Sequence, residues 1–261
     1  MWFLSDQGCQ VGDRAIKIAS LWLSRIAVPV APPHPSLSPK RWRGFCDRLV
    51  EHLPSQRDFA ISMKTASELS IVLFPHPVLR YQAKPIRRVD SGLAAIVQRM
   101  FELMYEHRGV GLAATQVGLP LRLFVMNPKG AQGEGQELVM INPVVSRPRG
   151  TESGEEGCLS LPAIHGFVNR HKTVLVNAYT LEGQEIHRDF TGYEARIIQH
   201  ESDHLEGRLF LDHPLLDTDS EEVMDKLDKL SRDFVAQQSS GQVPDDQAIH
   251  AELAEWEKRY C

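Results

Sequence analysis

The residues best suited to chemistry lie between Gln199 and Gly207, in the stretch QHESDHLEG. His200 and His204 are four residues apart, so on a helix both imidazoles leave the same face, one turn apart, with Glu201 beside them. This HExxH arrangement is typical of metal-assisted hydrolysis, in which the histidines bind the ion and the glutamate acts on a water molecule. The sequence therefore predicts a helical metal site with Glu201 as the general base.

Two imidazoles do not complete such a site, because a catalytic metal of this type normally has three protein ligands and one open position. The pattern HExxHxxGxxH fits the chain through Gly207 but has Phe210 in place of the third histidine. Two alternatives stay open. One is a downstream carboxylate, Glu221 or Glu222, as in thermolysin-like endopeptidases, and the other is the thiolate of Cys158 in the turn-like stretch EGCLS.

Composition limits the class of protein. The chain has 261 residues, a formal net charge of −5 and no run of eighteen apolar residues. We therefore expect no direct binding to nucleic acid and no membrane span. The four cysteines are far apart and lack CxxC spacing, which favours a reducing compartment such as the cytoplasm. They are Cys9, Cys46, Cys158 and Cys261.

The elements that must position these residues are predicted from periodicity and capping. Ser91 caps a first helix, the metal-site helix covers 192–206, and Ser220 caps a further helix. The apolar stripe of the first helix consists of Leu93, Ile96, Val97, Met100, Phe101 and Met104. Strand-like runs, or an extended segment for the last of them, cover 70–74, 121–126, 138–145, 173–179, 185–190 and 208–211. The order predicts an α+β fold, in which an antiparallel-rich sheet wraps around the central metal-site helix, with an N-terminal and a C-terminal helix.

The chain divides into three parts by pattern. Residues 1–62 show no period and contain a proline-rich run, so we expect an unstructured N-terminal extension. It is either a targeting segment or sequence that precedes the true start at Met63. Residues 63–238 form the predicted catalytic domain, and 239–261 an acidic C-terminal tail. Residues 217–261 carry twelve acidic and five basic side chains, a formal charge of −7.

Three motifs, in this order, resemble those of the peptide deformylase family. They are GVGLAATQ at 109–116, EGCLS at 156–160 and QHESDH at 199–204. The resemblance covers about residues 73–212. It implies a metal-dependent hydrolase that removes the formyl group from N-formylmethionine at the N-terminus of new polypeptides and releases formate.

The resemblance also implies roles for single residues. The Gln116 amide and the Leu159 backbone N–H would stabilise the negative oxygen of the tetrahedral intermediate. Apart from the resemblance, we expect Glu156 and Arg170 to form an ion pair that fixes the Cys158 turn. The native ion would be iron(II), with zinc, nickel and cobalt as alternatives. Its ligands would be Cys158, His200 and His204.

Helical spacing adds an inference about specificity. Tyr193 and Ile197 share a face with the two histidines, so we expect them, with Val110, to line an apolar pocket. In a deformylase that pocket takes the methionine side chain, and Gly111 would hydrogen-bond the peptide. The partners implied are N-formylmethionyl nascent peptides and, transiently, the ribosome, with the protein itself a monomer.

Two other functions stay open at this point. An HExxH zinc endopeptidase would use Glu221 or Glu222 as its third ligand. An inactive homologue would bind metal or peptide without turnover, and the presence of Gln116, Cys158 and Glu201 argues against it.

Overall fold

The computed structural model describes residues 64–213 and 220–261, so the expectations for residues 1–62 and for a start at Met63 lie outside the described residues. The described part contains five strands and four α-helices. The strands are β1 Gly111–Ala113, β2 Leu123–Met126, β3 Leu138–Cys158, β4 Leu161–Tyr179 and β5 Glu185–Thr191. The helices are α1 Ser91–Glu106, α2 Gly192–Leu205, α3 Glu221–Ser239 and α4 Asp246–Tyr260. This α+β architecture confirms the predicted fold class.

The sheet is an antiparallel meander with strand order β1-β2-β3-β4-β5. Its longest part is the hairpin of β3 and β4, which closes through a two-residue turn after Cys158. Gly157 pairs with His165 but Cys158 pairs with Leu161, so residues 162–164 bulge out of register on β4. A bulge bends the strand and redirects its side chains, and this one lies directly beside Cys158.

The metal-site helix α2 packs against one face of this sheet. Ala195, Ile198 and Leu205 are fully buried and belong to one apolar cluster with Phe124 and Val176 of the sheet. The helix is amphipathic in the predicted sense, because the residues opposite this core-facing side turn towards the cavity described below.

Helix α1 closes the other side of the core. Its predicted apolar stripe is buried throughout, and the Asp90 side chain accepts a hydrogen bond from the backbone N–H of Leu93. Asp90, and not Ser91, is therefore the N-cap residue, and Ser91 is the first residue of the helix. The expected cap at Ser220 precedes α3 as predicted.

Four predicted extended segments differ from the structure. Residues 70–74 form no strand, because Val72 donates to Gln116 and Phe74 to Ser160, two separate segments that offer no common ladder. The segment predicted at 208–211 instead leads into a short 3-10 turn at Phe210–Asp212. Strands β3 and β4 are much longer than predicted, since Pro148 and Pro162 lie at register shifts beyond which the pairing continues.

The predicted acidic tail at 239–261 is folded onto the rest of the chain. Trp256 and Tyr260 of α4 enter the same apolar cluster as α1. Ile249, Leu253, Trp256 and Tyr260 are spaced by four, three and four residues, so one face of the acidic segment is apolar. No helix among the described residues is both long and apolar enough to cross a bilayer.

Candidate metal centre

Three side chains able to ligate a metal meet at the end of the β3–β4 hairpin. Cys158 is the last residue of β3, while His200 and His204 lie one turn apart on α2. One ligand atom from each lies within 4.8 Å of the other two, and the Sγ atom of Cys158 is 3.3 Å from Nε2 of His204. A thiolate and two imidazoles suit iron(II), zinc, cobalt or nickel, so the donor set fits the expected ion.

Glu156 orients the more exposed of the two imidazoles. The Nδ1 atom of His200 is 3.0 Å from Oε2 of Glu156, which leaves Nε2 of His200 for a metal. Arg170 donates to both oxygens of Glu156, from Nε and Nη2, each across 3.0 Å. Burial raises the pKa of Glu156, but hydrogen bonds from His200 and Arg170 outweigh it and hold that pKa well below its usual range. The predicted pair of Glu156 and Arg170 is therefore present, with His200 as a third member.

Glu201 lies beside the ligands with its carboxylate only partly satisfied. It is 4% exposed, and its Oε2 atom has no hydrogen-bond partner in the described part of the protein. Burial raises the pKa of this carboxyl to about 7, against the opposing effect of His200. A pKa near neutrality suits a group that must both accept and return a proton.

Strand β1 leaves room for this carboxylate through a glycine. A Cβ atom at Gly111 would collide with Oε1 of Glu201, so any side chain there would displace the carboxylate. Glycine at position 111 is therefore needed for the close approach of α2 to β1, in addition to its predicted contact with substrate.

The Gln116 amide is held in one orientation by the backbone. Its Oε1 atom accepts a hydrogen bond from the N–H of Ala113 across 2.9 Å, so the amide nitrogen must face the opposite way. That nitrogen lies 3.3 Å from Sγ of Cys158 and 3.4 Å from Oγ of Ser160. The side chain is 1% exposed and sits in a 3-10 turn that directly follows β1.

A cavity of about 520 Å³ opens in front of these groups. Nine of the ten residues that the sequence predicts for the site line it, and His204, which is 1% exposed, lies behind. Ile197 is buried at the cavity wall, whereas Tyr193 is exposed at its rim. The nine are Val110, Gly111, Gln116, Cys158, Leu159, Tyr193, Ile197, His200 and Glu201.

The carboxylates of the alternative ligand set are not at this centre. Among the described residues, neither Glu221 nor Glu222 belongs to the group that could hold a metal. Both are exposed, and Glu222 pairs with Lys226 across 2.6 Å. Phe210, which replaces the third histidine of the longer zinc motif, stacks on the His200 ring with centroids 6.2 Å apart.

Two polar residues of α2 were missed by the sequence analysis. Arg196 donates to Oε1 of Glu156 across 2.8 Å, and Asp203 accepts from Arg170 across 2.5 Å. Their spacing from His200 could have indicated them, because Arg196 precedes His200 by four residues and Asp203 follows it by three. Residues at these spacings share a helical face with the ligand.

An antiparallel sheet around a helix that bears HExxH, with a third ligand on a neighbouring strand, is the architecture of a metal-dependent hydrolase. Comparison with known proteins gives the family. Residues 68–221 match the family model described as polypeptide deformylase. The chain belongs to the peptide deformylase family.

Named relatives agree with this assignment. A peptide deformylase of Rhodopirellula baltica is 43% identical over 192 residues, which is 74% of this chain and 95% of the relative. A chloroplastic peptide deformylase 1B of Oryza sativa is 38% identical over 205 residues, 77% of this chain and 75% of the relative. The solved structure of peptide deformylase 1B from Arabidopsis thaliana with an inhibitor has a TM-score of 0.61 and 36% identity, and the match covers 70% of this chain and 99% of that one.

The activity follows from the family. The protein is a metal-dependent hydrolase that removes the formyl group from N-formylmethionine at the start of new polypeptides, and N-formylmethionyl peptides are its substrates. The endopeptidase alternative is not favoured by these comparisons.

Proposed function

We propose that deformylation takes place at the centre of Cys158, His200 and His204, with Glu201 as general base. The observation that carries this proposal is the buried Oε2 atom of Glu201, which lies beside three converging ligand atoms and has no hydrogen-bond partner among the described residues. A carboxylate oxygen in that position is satisfied when it accepts a hydrogen bond from a water molecule. The same contact allows it to remove a proton from that water.

The chain's own residues divide the chemistry among them. When bound, the metal supplies Lewis-acid activation of the formyl carbonyl and of water. Glu201 removes a proton from the attacking water and delivers it to the leaving amine, which is a poor leaving group unless it is protonated. The Gln116 Nε2 atom and the Leu159 N–H donate to the oxygen that becomes negative, and one such donor lowers the barrier by about 3 kcal/mol.

The substrate's first side chain enters the apolar side of the cavity. Val110 and Ile197 offer apolar surface next to the ligands, and Tyr193 closes the rim. We assign this pocket to the methionine side chain and the backbone of Gly111 to the peptide. A mismatch of one methylene in such a pocket changes binding by about 1–3 kcal/mol.

We infer iron(II) as the native ion. One thiolate with two imidazoles accepts iron(II), zinc, nickel and cobalt alike, and similarity to the peptide deformylase family favours iron(II) among them. Metal analysis after anaerobic purification tests this inference, and zinc as the dominant ion under those conditions would contradict it.

We propose that the protein acts as a monomer near the ribosome without anchoring itself on RNA. The formal charge of −7 over 217–261 opposes binding to RNA phosphates. We place it in the cytoplasm, or in an organelle if residues 1–62 are a transit peptide, since some relatives are named chloroplastic. Salt-sensitive co-sedimentation with ribosomes that is lost when the exposed Lys258 and Arg259 are both replaced by alanine would contradict the first point, and imaging of the tagged full chain tests the second.

The central experiment separates metal binding from proton transfer. Glu201→Gln keeps the ligands and should keep the metal while formate release from formylmethionyl peptides disappears, whereas His204→Ala should lose both. Retained turnover in Glu201→Gln would overturn the proposed mechanism. Both variants are measured for metal-to-protein ratio and for formate release.

A further inference from the structure

We propose that Arg196 is a positioning residue for the metal ligand His200, acting through Glu156. This inference rests on the proposed metal site. Arg196 lies one turn before His200 on α2, is 8% exposed, and places Nη1 2.8 Å from Oε1 of Glu156. The other oxygen of Glu156 is the one that accepts from His200.

The guanidinium also fastens α2 to both strands of the long hairpin. Nη1 donates to the carbonyl of Val168 on β4 across 2.9 Å, and Nη2 donates to the carbonyl of Glu152 on β3 across 3.0 Å. Gly154 makes room for this contact, since a Cβ atom there would lie 2.8 Å from Cζ of Arg196. One side chain therefore sets the distance between the helix that bears two ligands and the hairpin that bears the third.

Arg196 is not redundant with Arg170. Arg170 forms a fork on Glu156 from Nε and Nη2, and its remaining Nη1 atom is taken by Asp203. A carboxylate held by one bidentate arginine can still tilt about that pair of hydrogen bonds. The Arg196 contact on Oε1 holds the Glu156 carboxylate from a second direction. With Glu156 fixed, Oε2 stays in line with Nδ1 of His200, and the imidazole keeps the tautomer and ring angle that aim Nε2 at the ion.

The loss of such a partner behind a ligand typically weakens metal affinity 10–100-fold. We therefore expect Arg196→Met to raise the dissociation constant for Zn²⁺, measured by chelator competition, by about that factor. In the cobalt-substituted protein the same change should shift the visible absorption bands, because they report ligand geometry. Arg196→Lys keeps the charge but loses the second nitrogen, which donates to the carbonyl of Glu152, so it should recover part of the affinity.

The chain offers a matched control at the C-terminal end of the same helix, although the arginine itself lies outside that helix. Arg122 pairs with Glu206 at the end of α2 across 2.7 Å and donates to the carbonyl of Pro143 across 3.1 Å, but it does not touch Glu156. Arg122→Met should leave Zn²⁺ affinity and the cobalt spectrum unchanged. In a Glu156→Gln background, Arg196→Met should add little to the loss of affinity, because both changes act on one interaction.

Two outcomes would overturn the proposal. The first is an Arg196→Met protein whose Zn²⁺ affinity and cobalt spectrum equal those of Arg122→Met, which would make Arg196 a brace of the fold alone. The second, decisive if Arg196→Met does not fold, is an Arg196→Lys protein with unchanged affinity and spectrum. Failure of the metal site itself is distinguishable, because then Cys158→Ala and His204→Ala would also retain the metal.

Discussion

The side-chain nitrogen of Gln116 lies 3.3 Å from the Sγ atom of Cys158. A hydrogen-bond donor thus lies directly beside the third of the three proposed ligands. Its direction is set by the backbone N–H of Ala113, which occupies the amide oxygen. The donor is therefore preorganised before substrate arrives, which is the condition for electrostatic stabilisation of a developing oxyanion.

Gln116→Leu should keep the metal and lose most of the turnover. The loss of one oxyanion donor reduces kcat by about 10²–10³-fold, with a smaller effect on KM. Steady-state kinetics on formylmethionyl peptides, together with the metal-to-protein ratio, measure this. A variant that loses the metal as well would show that Gln116 mainly supports Cys158.

Cys158→Ala should lose metal and activity together, since the sulfur is one of the three converging donors. Glu222→Gln is the matched control, because Glu222 is exposed and paired only with Lys226 in the described structure. Its metal content and formate release should equal those of the parent. Loss of metal and activity in Glu222→Gln but not in Cys158→Ala would indicate that the third ligand lies on α3.

Acid should destabilise the fold through His76. Burial, with the nearby charge of Lys64, lowers the pKa of His76 from 6.5 to about 4 in the folded protein. Between these values the unfolded chain is protonated at His76 and the folded protein is not, so this contribution to stability is complete above about pH 6.5 and is lost as the pH falls towards 4.

The test compares the parent with His76→Asn, because asparagine does not titrate and can still accept from Val78 N–H as His76 does. The free energy of unfolding is measured by denaturant titration at about pH 7 and about pH 5. Its decrease from the higher to the lower pH should be smaller in the variant than in the parent. An equal fall would mean that His76 does not control acid sensitivity.

Trp256→Ala should destabilise the whole catalytic unit. Trp256 is 2% exposed in the cluster that includes α1, and truncation of a buried aromatic residue costs about 3–5 kcal/mol. Lys258→Ala on the exposed face of the same helix should change stability by less than about 0.5 kcal/mol. Equal unfolding midpoints for the two variants would mean that 239–261 behaves as the free acidic tail expected from composition.

A chain that begins at Met63 should fold, bind one metal and deformylate at close to the full-length rate. The ligands, Glu201, Gln116 and the cavity all lie between residues 107 and 204. Soluble yield, metal content and kcat/KM decide the matter. Insolubility, or lost activity with retained metal, would place residues 1–62 in the fold or the substrate site.

The sequence signals for the proposed centre are mostly local. HExxH fixes two ligands and the base within one helical turn, and the α1 stripe follows a simple period. Cys158 needed the resemblance, since nothing local distinguishes a ligand from a small buried thiol. Arg196 was missed because an arginine four residues before His200 is usually solvated, and its burial depends on the Val168 and Glu152 carbonyls of a distant hairpin.

The errors arose where tertiary pairing overrides composition. Pro148, Gly154, Gly157 and Pro162 suggest turns, yet all lie within β3 or β4 as the structure has them. The high acid content of 239–261 concealed the four-three-four spacing of its apolar residues. Net charge describes the exposed face of a helix and says nothing about the buried one.

The contact between the ends of the catalytic unit has a consequence for how each new copy matures. The carbonyl of Tyr260 accepts hydrogen bonds from the N–H groups of Arg87 and Arg88, just before α1, and the Trp256 and Tyr260 rings complete the apolar cluster around that helix. Because a chain is synthesised from its N-terminus, α1 and the sheet leave the ribosome before α4 exists to cover them. An enzyme that acts on unfinished polypeptides therefore cannot close its own core until its last helix has been translated.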